Sequence, residues 1–285
     1  MSDERPSYVG VSHEHVRYEI VRTRSGALAI RSLDTDEVMH PGVGPMVEAE
    51  QLYVRQSRLA ERLRAVEAPI LVLFDVGMGA ASNAIAALAE SEAAPFSAAR
   101  LELISFERDS GALRMALSQS AAFGLEGASG EGARALLGRG RYETPRTCWR
   151  LEDGDALAAL VRQTARPDIV FWDPFSPRVN PSLWTVAAFA QVRRRAGPRC
   201  TLFTYSASTA VRVALLLGGW AVGVGEAIGD KAATTAAAVR ATDLKRPLDR
   251  NWLTRLSLPK APLPSDAPAD AVKRVAAAPQ FSFAG

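Results

Sequence analysis

Two stretches of this chain hold residues whose types and spacing suit chemistry on a bound small molecule. The first is Ile70-Leu-Val-Leu-Phe-Asp-Val-Gly-Met-Gly-Ala-Ala-Ser-Asn83, an apolar run ending in Asp75, then Gly77 and Gly79, then an alanine-rich segment. Bare backbone can approach a ligand closely, and a strand that runs into a helix N-terminus presents amide N–H groups to it. A dinucleotide site would need a third glycine at the position of Ser82, and a P-loop would need a Gly-Lys-Ser/Thr ending, which is missing. The second stretch is Asp173-Pro-Phe175, an acid followed by a proline-constrained carbonyl and an aromatic ring. Such a group can accept the hydrogens of an amine and fix the direction of its lone pair, with the ring packed over the acceptor.

An acid two residues before Gly-x-Gly, with nothing to hold phosphate, is the pattern of an S-adenosyl-L-methionine site. Asp75, Gly77, Gly79 and Asn83 are the candidate cofactor residues of this turn. Leu101 to Phe106 reads as a second strand ending in Glu107, where an acid accepts hydrogen bonds from ribose hydroxyls. Thr147 to Leu151 reads as a third strand leading to Asp153-Gly-Asp155. Asp155 can accept from an adenine amino group, or it can cap the helix that follows. Asp173 is the candidate catalytic residue, since a carboxylate can also steer an ammonium group in and help it lose a proton.

These residues need a scaffold. Strands at 70–76, 101–106, 147–151, 168–172, 200–204, 220–224 and 234–239 alternate with helical segments, which predicts an open, mostly parallel α/β sheet with ligands at the strand C-terminal ends. The expected sheet is doubly wound and mostly parallel with an antiparallel last strand, and all the candidate acids lie at strand C-terminal ends. Val16 to Leu33 reads as a β-hairpin turning at Arg24-Ser-Gly26, and Val47 to Leu63 as one amphipathic helix carrying Glu50 and Tyr53. Gly124 to Gly140 reads as a glycine-rich connection. Six of the 17 prolines follow Arg240, which predicts irregular structure beyond about Pro259. The expected division is an N-terminal hairpin and helical extension over 1–64, a methyltransferase domain over 65–240 and a Pro/Ala-rich tail over 241–285.

With 285 residues and 48% apolar composition the chain can bury a sizeable core. A net charge of +3 permits a polyanionic partner without requiring one. Cys148 and Cys200 read as reduced thiols, and His13, His15 and His40 show no metal-ligand spacing, so no metal is expected. The charged N-terminus is no signal peptide and the longest uncharged run, Val213 to Gly225, is too short to span a bilayer. A cytoplasmic protein without membrane contact is expected.

The block Asp173-Pro-Phe-Ser-Pro-Arg-Val-Asn-Pro-Ser-Leu-Trp184, with Phe189 and Thr201-Leu-Phe-Thr-Tyr205, resembles the methyltransferase domain of the bacterial bifunctional enzyme that completes 5-methylaminomethyl-2-thiouridine in tRNA. Gly77, Gly79, Asn83, Glu107 and Gly154-Asp155 match as well, and the resemblance runs from about Met39 to Val239. It implies a Rossmann-like class I methyltransferase fold and S-adenosyl-L-methionine-dependent methylation of the primary amine of 5-aminomethyl-2-thiouridine at the tRNA wobble position. Asp173 would hold the amine, while Phe175, Pro177, Asn180 and Trp184 would shape the uridine pocket and Glu50 and Tyr53 would close it. The resemblance does not extend to the oxidase domain, so a separate enzyme is expected to supply the aminomethyl intermediate. Candidate tRNA contacts are Arg141, Arg178 and Arg193 to Arg195. Asp75-Val stands where the family has Glu-Thr, and Ala81 stands where it has a third glycine, close to the methionine part of the cofactor. Other readings are a spermidine-synthase-like aminopropyltransferase, a small-molecule N-methyltransferase and an inactive methyltransferase-like binding module.

Overall fold

A computed structural model describes residues 17–65, 69–93, 98–229, 232–258 and 262–282; His13 and His15 lie outside them. The hairpin predicted from Val16 to Leu33 is present as β1 (Tyr18–Arg22) and β2 (Leu28–Ser32), with Gly26 at φ 85° in the turn. Next come α1 (Pro45–Glu48), a π-helix (Ala49–Arg55) and α2 (Leu59–Arg64). The sequence predicts one continuous helix here. The chain instead widens into i→i+5 bonding and then breaks at Arg58, which sits at φ 58°.

The core alternates as expected: β3 (Ile70–Val76), α3 (Ser82–Ala93), β4 (Arg100–Glu107), α4 (Gly111–Leu117), α5 (Gly127–Arg139), β5 (Arg141–Glu143), β6 (Thr147–Asp153), α6 (Ala156–Arg162), β7 (Ile169–Trp172), α7 (Val186–Arg195), β8 (Thr201–Thr204), α8 (Thr209–Leu217), β9 (Ala221–Gly225) and β10 (Thr234–Ala238). The sheet order is β5-β6-β4-β3-β7-β8-β10-β9, parallel in the centre, with β10 antiparallel to both β8 and β9. From β3 the chain winds outward through β4 to β6, then returns to the other side of β3 with β7. The switch point of the sheet is therefore the β3/β7 pair, where α/β folds bind ligands.

Alternate residues of each strand feed two cores. Leu71 and Leu73 pack with α3, α4, α5 and the N-terminal segments, whereas Phe74 and Val76 pack with α6, α7 and α8. The glycine-rich stretch is a helix, not a connection. A Cβ at Gly132 would sit 3.2 Å from Tyr142 and 3.3 Å from Leu88, so the small residues of α5 let it lie close on β5 and α3. Packing overrides the low helix propensity of glycine.

The tail also departs from expectation. α9 (Ala271–Ala276) and α10 (Pro279–Ser282) dock on the second core through Val275 and Phe281, each 1% exposed. Gln280 then pairs with the edge strand β9: its Oε1 accepts from Val222 N–H (2.7 Å) and its Nε2 donates to the Val222 and Leu248 carbonyls (both 3.1 Å). Prolines at 262, 264 and 268 delimit these helices without abolishing them. Phe281→Ala should cost about 3 kcal/mol, the lower end for a buried aromatic, read from urea unfolding. A change below about 0.5 kcal/mol, the scale of surface substitutions, would show that the tail contributes no core packing.

Candidate active site

Two turns meet at the C-terminal ends of β3 and β7. Asp173 N–H donates to the Val76 carbonyl (2.9 Å), and Gly77 follows at φ 84°. A Cβ on Gly77 would lie 2.6 Å from Pro174 Cα, so the turns touch backbone to backbone. Ala81 also adopts the left-handed region (φ 66°), but its side chain is fully buried in the first core. Ala80 and not Ala81 lines the cavity above the turn.

That cavity has a volume of about 610 Å³, within the range of small-molecule sites. Gly77, Met78 and Gly79 form one wall and Glu107 another. The Glu107 carboxylate accepts from Gly79 N–H (2.9 Å) through Oε2 and from Arg108 (2.7 Å) and Asp109 (2.9 Å) N–H groups through Oε1. Burial pushes its pKa up, and these backbone donors oppose the rise. Asp155 lines the same cavity and caps α6, its Oδ1 accepting from Ala158 N–H at 2.8 Å. Both readings of Asp155 are thus compatible with its position.

Asp173 stands where the cavity meets the protein interior, its side chain 10% exposed. Its Oδ2 accepts from Asn83 Nδ2 at 2.7 Å and faces His40 Nε2 at 3.4 Å. Burial raises its pKa, and His40, Tyr53 and Asn83 oppose that rise. On the far side, His40 Nδ1 faces Glu48 Oε2 at 3.6 Å, and Glu48 Oε1 accepts from Gly42 N–H at 3.0 Å. Phe175, Asn180, Leu183 and Tyr205 complete the acceptor side, with Tyr205 donating to the Pro174 carbonyl at 3.2 Å. The hairpin connection roofs the cavity: Glu37 accepts from Ser176 N–H at 3.0 Å and pairs with Arg178 at 3.0 Å.

Several residues chosen from sequence sit elsewhere. Asp75 is buried beneath the turn, outside the cavity lining, and accepts from Ser105 Oγ at 2.8 Å, which in turn accepts from Trp149 Nε1 at 3.0 Å. It faces the first core because it continues the Leu71, Leu73 alternation. Asn83 orients Asp173 instead of lining the cavity. Pro177 is exposed on the outer side of the loop, and Trp184 braces it from behind by donating to the Phe175 carbonyl (2.8 Å) and stacking edge-on against Tyr205. Glu50 is exposed and paired with Arg55. Tyr53 is buried behind Asp173, not in the cavity wall. Arg141 pairs with Glu143, Arg193 and Arg195 donate to backbone carbonyls, and Arg178 pairs with Glu37, which lines the cavity.

The residues missed are His40, Glu48, Glu37 and Tyr205. On an α-helix, Glu50 and Tyr53 share a face through i,i+3 spacing. The π-helical turn brings residues five apart together, so Glu48 and Tyr53 point to the same site. Buried Glu48 on a helix with an exposed Glu50 leaves no signature in periodicity alone. His40 and Glu37 lie in an irregular segment without a pattern, although Tyr205 stood within the quoted Thr201 to Tyr205 run.

The donor set suits S-adenosyl-L-methionine: glycine backbone for the amino-acid part, carboxylates for hydroxyl and amino groups, and negative charge for a sulfonium. Among the described residues no group of His, Cys, Asp and Glu is arranged to hold a metal ion, and no helix is long and apolar enough to cross a membrane. The S-adenosyl-L-methionine-dependent methyltransferase family model Methyltransf_30 matches residues 136–240. Fold, site and family model together define a class I S-adenosyl-L-methionine-dependent methyltransferase.

Within that class the likeness is to MnmC. The chain is 31% identical over 189 residues to the tRNA 5-methylaminomethyl-2-thiouridine biosynthesis bifunctional protein MnmC of Pseudomonas aeruginosa, covering 61% of this chain and 28% of that protein. It is 30% identical over 195 residues to the protein of the same name from Burkholderia thailandensis, covering 65% and 30%. The chain therefore spans under a third of the length of these relatives. The crystal structure of MNMC2 from Aquifex aeolicus superposes with a TM-score of 0.71 at 26% identity, covering 94% of this chain and 87% of that one.

Gly77→Ala should weaken S-adenosyl-L-methionine binding at least about tenfold in calorimetric titration, because the new Cβ forces the two turns apart. Unchanged affinity would remove the Gly77 turn from the cofactor site. Asp75 gives a pH test. Burial pushes its pKa up to about 7. A carboxyl raised in the folded state favours folding fully below its unfolded value of about 4, and that contribution is lost as pH rises through about 7. Asp75→Asn cannot ionise, so its stability relative to wild type should increase by about 2 kcal/mol between about pH 5 and pH 8. Urea unfolding at both pH values measures this; a pH-independent difference would show that Asp75 does not titrate as described.

Proposed function

We propose that this protein transfers a methyl group from S-adenosyl-L-methionine to a primary amine, and that the amine is the 5-aminomethyl group of a 2-thiouridine at the tRNA wobble position. The observation that carries the reading is Asp173, a buried carboxylate beside the Gly77 turn, on the inner side of a cavity that Phe175 and Asn180 also line. The likeness to MnmC supports the tRNA acceptor. On this reading a separate enzyme supplies the aminomethyl intermediate and the protein works with tRNA in the cytoplasm.

When bound, S-adenosyl-L-methionine supplies an electrophilic methyl group on positively charged sulfur. Glu107, held by three backbone N–H groups, is placed for the ribose hydroxyls, and Asp155 for the adenine amino group. Asp173 attracts the acceptor ammonium, accepts its hydrogens and sets the lone pair along the transfer direction. Asn83 fixes the carboxylate rotamer, while Trp184 and Tyr205 hold the loop that carries Phe175 and Asn180.

Calorimetry with S-adenosyl-L-methionine and its decarboxylated analogue, followed by methyl transfer to tRNA bearing the aminomethyl group, tests the reading. Asp173→Asn should bind the cofactor within about threefold of wild type and lose about 100-fold or more in kcat. Preference for the decarboxylated analogue would favour aminopropyl transfer, and transfer to free amines but not to tRNA would favour a small-molecule enzyme. Cofactor binding with no transfer would favour a binding module.

A further inference from the structure

His40 occupies a backbone conformation that a non-glycine residue seldom adopts, φ 52°, which costs about 1 to 3 kcal/mol and clusters at functional sites. The strained residue places an imidazole, 14% exposed, between two carboxylates: Nε2 is 3.4 Å from Asp173 Oδ2 and Nδ1 is 3.6 Å from Glu48 Oε2. Glu48 is 2% exposed, and its other oxygen is held by Gly42 N–H. An acid, an imidazole and a second acid in line form the arrangement in which the outer carboxylate sets the tautomer and the ring moves a proton.

We infer that His40 is the proton acceptor of this site, taking the proton of the acceptor ammonium through Asp173, with Glu48 as the residue that positions the ring. The inference rests on the amine reading above. An alkyl ammonium has no lone pair, and one N–H bond must break before nitrogen can react. Its electron pair stays on nitrogen and forms the new N–C bond as the methyl–sulfur bond of the cofactor breaks, the pair of that bond returning to sulfur to leave a neutral thioether; the proton passes to Asp173 Oδ2 and on to His40 Nε2. The ring is then an imidazolium between two carboxylates, and the proton returns to water after product leaves.

The charged and titratable groups around the ring agree with this cycle. Asp173 comes from the end of β7, Glu48 from α1 and Asp75 from beneath the turn. Glu107 and Glu37 lie along the same cavity, and Tyr53 and Tyr205 face Asp173. The acids around the ring support positive charge on it. A cationic cofactor in the same cavity opposes that charge, which leaves a ring nitrogen available to accept a proton.

The test compares wild type with His40→Gln, which keeps an amide where Nε2 lies but cannot take up a proton, and with Glu48→Gln. Cofactor affinity in His40→Gln should stay within about threefold, with KM for the amine little changed and kcat about 100-fold lower near pH 7. That loss should shrink to within about fivefold near pH 10, where the amine already arrives deprotonated. A loss of equal size at every pH, or no loss, would overturn the assignment.

A readout without turnover separates this inference from the amine reading. The chain has three histidines, so the His40 ring signals in NMR are those missing from His40→Gln. Their titration midpoint should fall by about one unit in Asp173→Asn, in Glu48→Gln and on saturation with S-adenosyl-L-methionine. A midpoint indifferent to Asp173→Asn would overturn the coupling whatever the acceptor. A wild type that binds cofactor but methylates no amine, with the midpoint shifts present, would overturn the amine reading alone.

Discussion

The contact on which this site depends is made without side chains. Gly77 and Pro174 bring the ends of β3 and β7 together at a distance that leaves no room for a Cβ, and the Asp173 N–H to Val76 carbonyl bond ties the two turns at the same level. The Gly77 turn and the Asp173 loop are thereby parts of one corner. A shift in either strand would move the Asp173 carboxylate relative to the glycine cradle, and in methyl transfer alignment of the reacting atoms supplies much of the rate. The Asp75, Ser105 and Trp149 chain beneath the turn fastens β3, β4 and β6 in register just below that corner.

Above the corner the protein collects negative charge. Glu107, Asp173 and Glu48 are all withdrawn from water, an arrangement that is unfavourable until something offsets it. Backbone N–H groups offset it at Glu107, Asn83 and His40 at Asp173, and Gly42 N–H at Glu48. What remains is a site already arranged for positive charge, in which ligand cations complete an electrostatic balance that the folded chain has set up in advance.

Much of this was legible in the residues. The alternation of apolar runs with helical segments located the central strands, and the acids at their ends lie where the strand pattern placed them. The failures share a cause: each concerned residues whose conformation is decided by what they pack against. Gly130 and Gly132 read as a loop, but a Cβ would meet the Leu125 carbonyl at the first and Leu88 and Tyr142 at the second, so only small residues fit there. Val47 to Leu63 reads as an α-helix because periodicity assumes a constant turn, and the π-helical widening that pairs Glu48 with Tyr53 violates that assumption. Asp75 looked like a cofactor ligand by its place before Gly-x-Gly, while the parity of β3 turned it inward. His40 had no pattern to announce it, since its role comes from neighbours supplied by β7 and α1.

The glutamine on α10 has a consequence for the sheet as a whole. An eight-stranded open sheet ends in two rows of backbone groups, each a template for another strand. On the β9 side the Gln280 amide imitates one peptide unit, binding the N–H and C=O of Val222, while Leu248 N–H donates to the same Val222 carbonyl and the Arg246 carbonyl accepts from Val224 N–H. On the other side the three-residue β5 runs antiparallel and stops. One side chain and one short segment thus act together as a terminator of hydrogen-bond polymerisation, and the docked tail protects the protein against edge-to-edge association as well as filling its core.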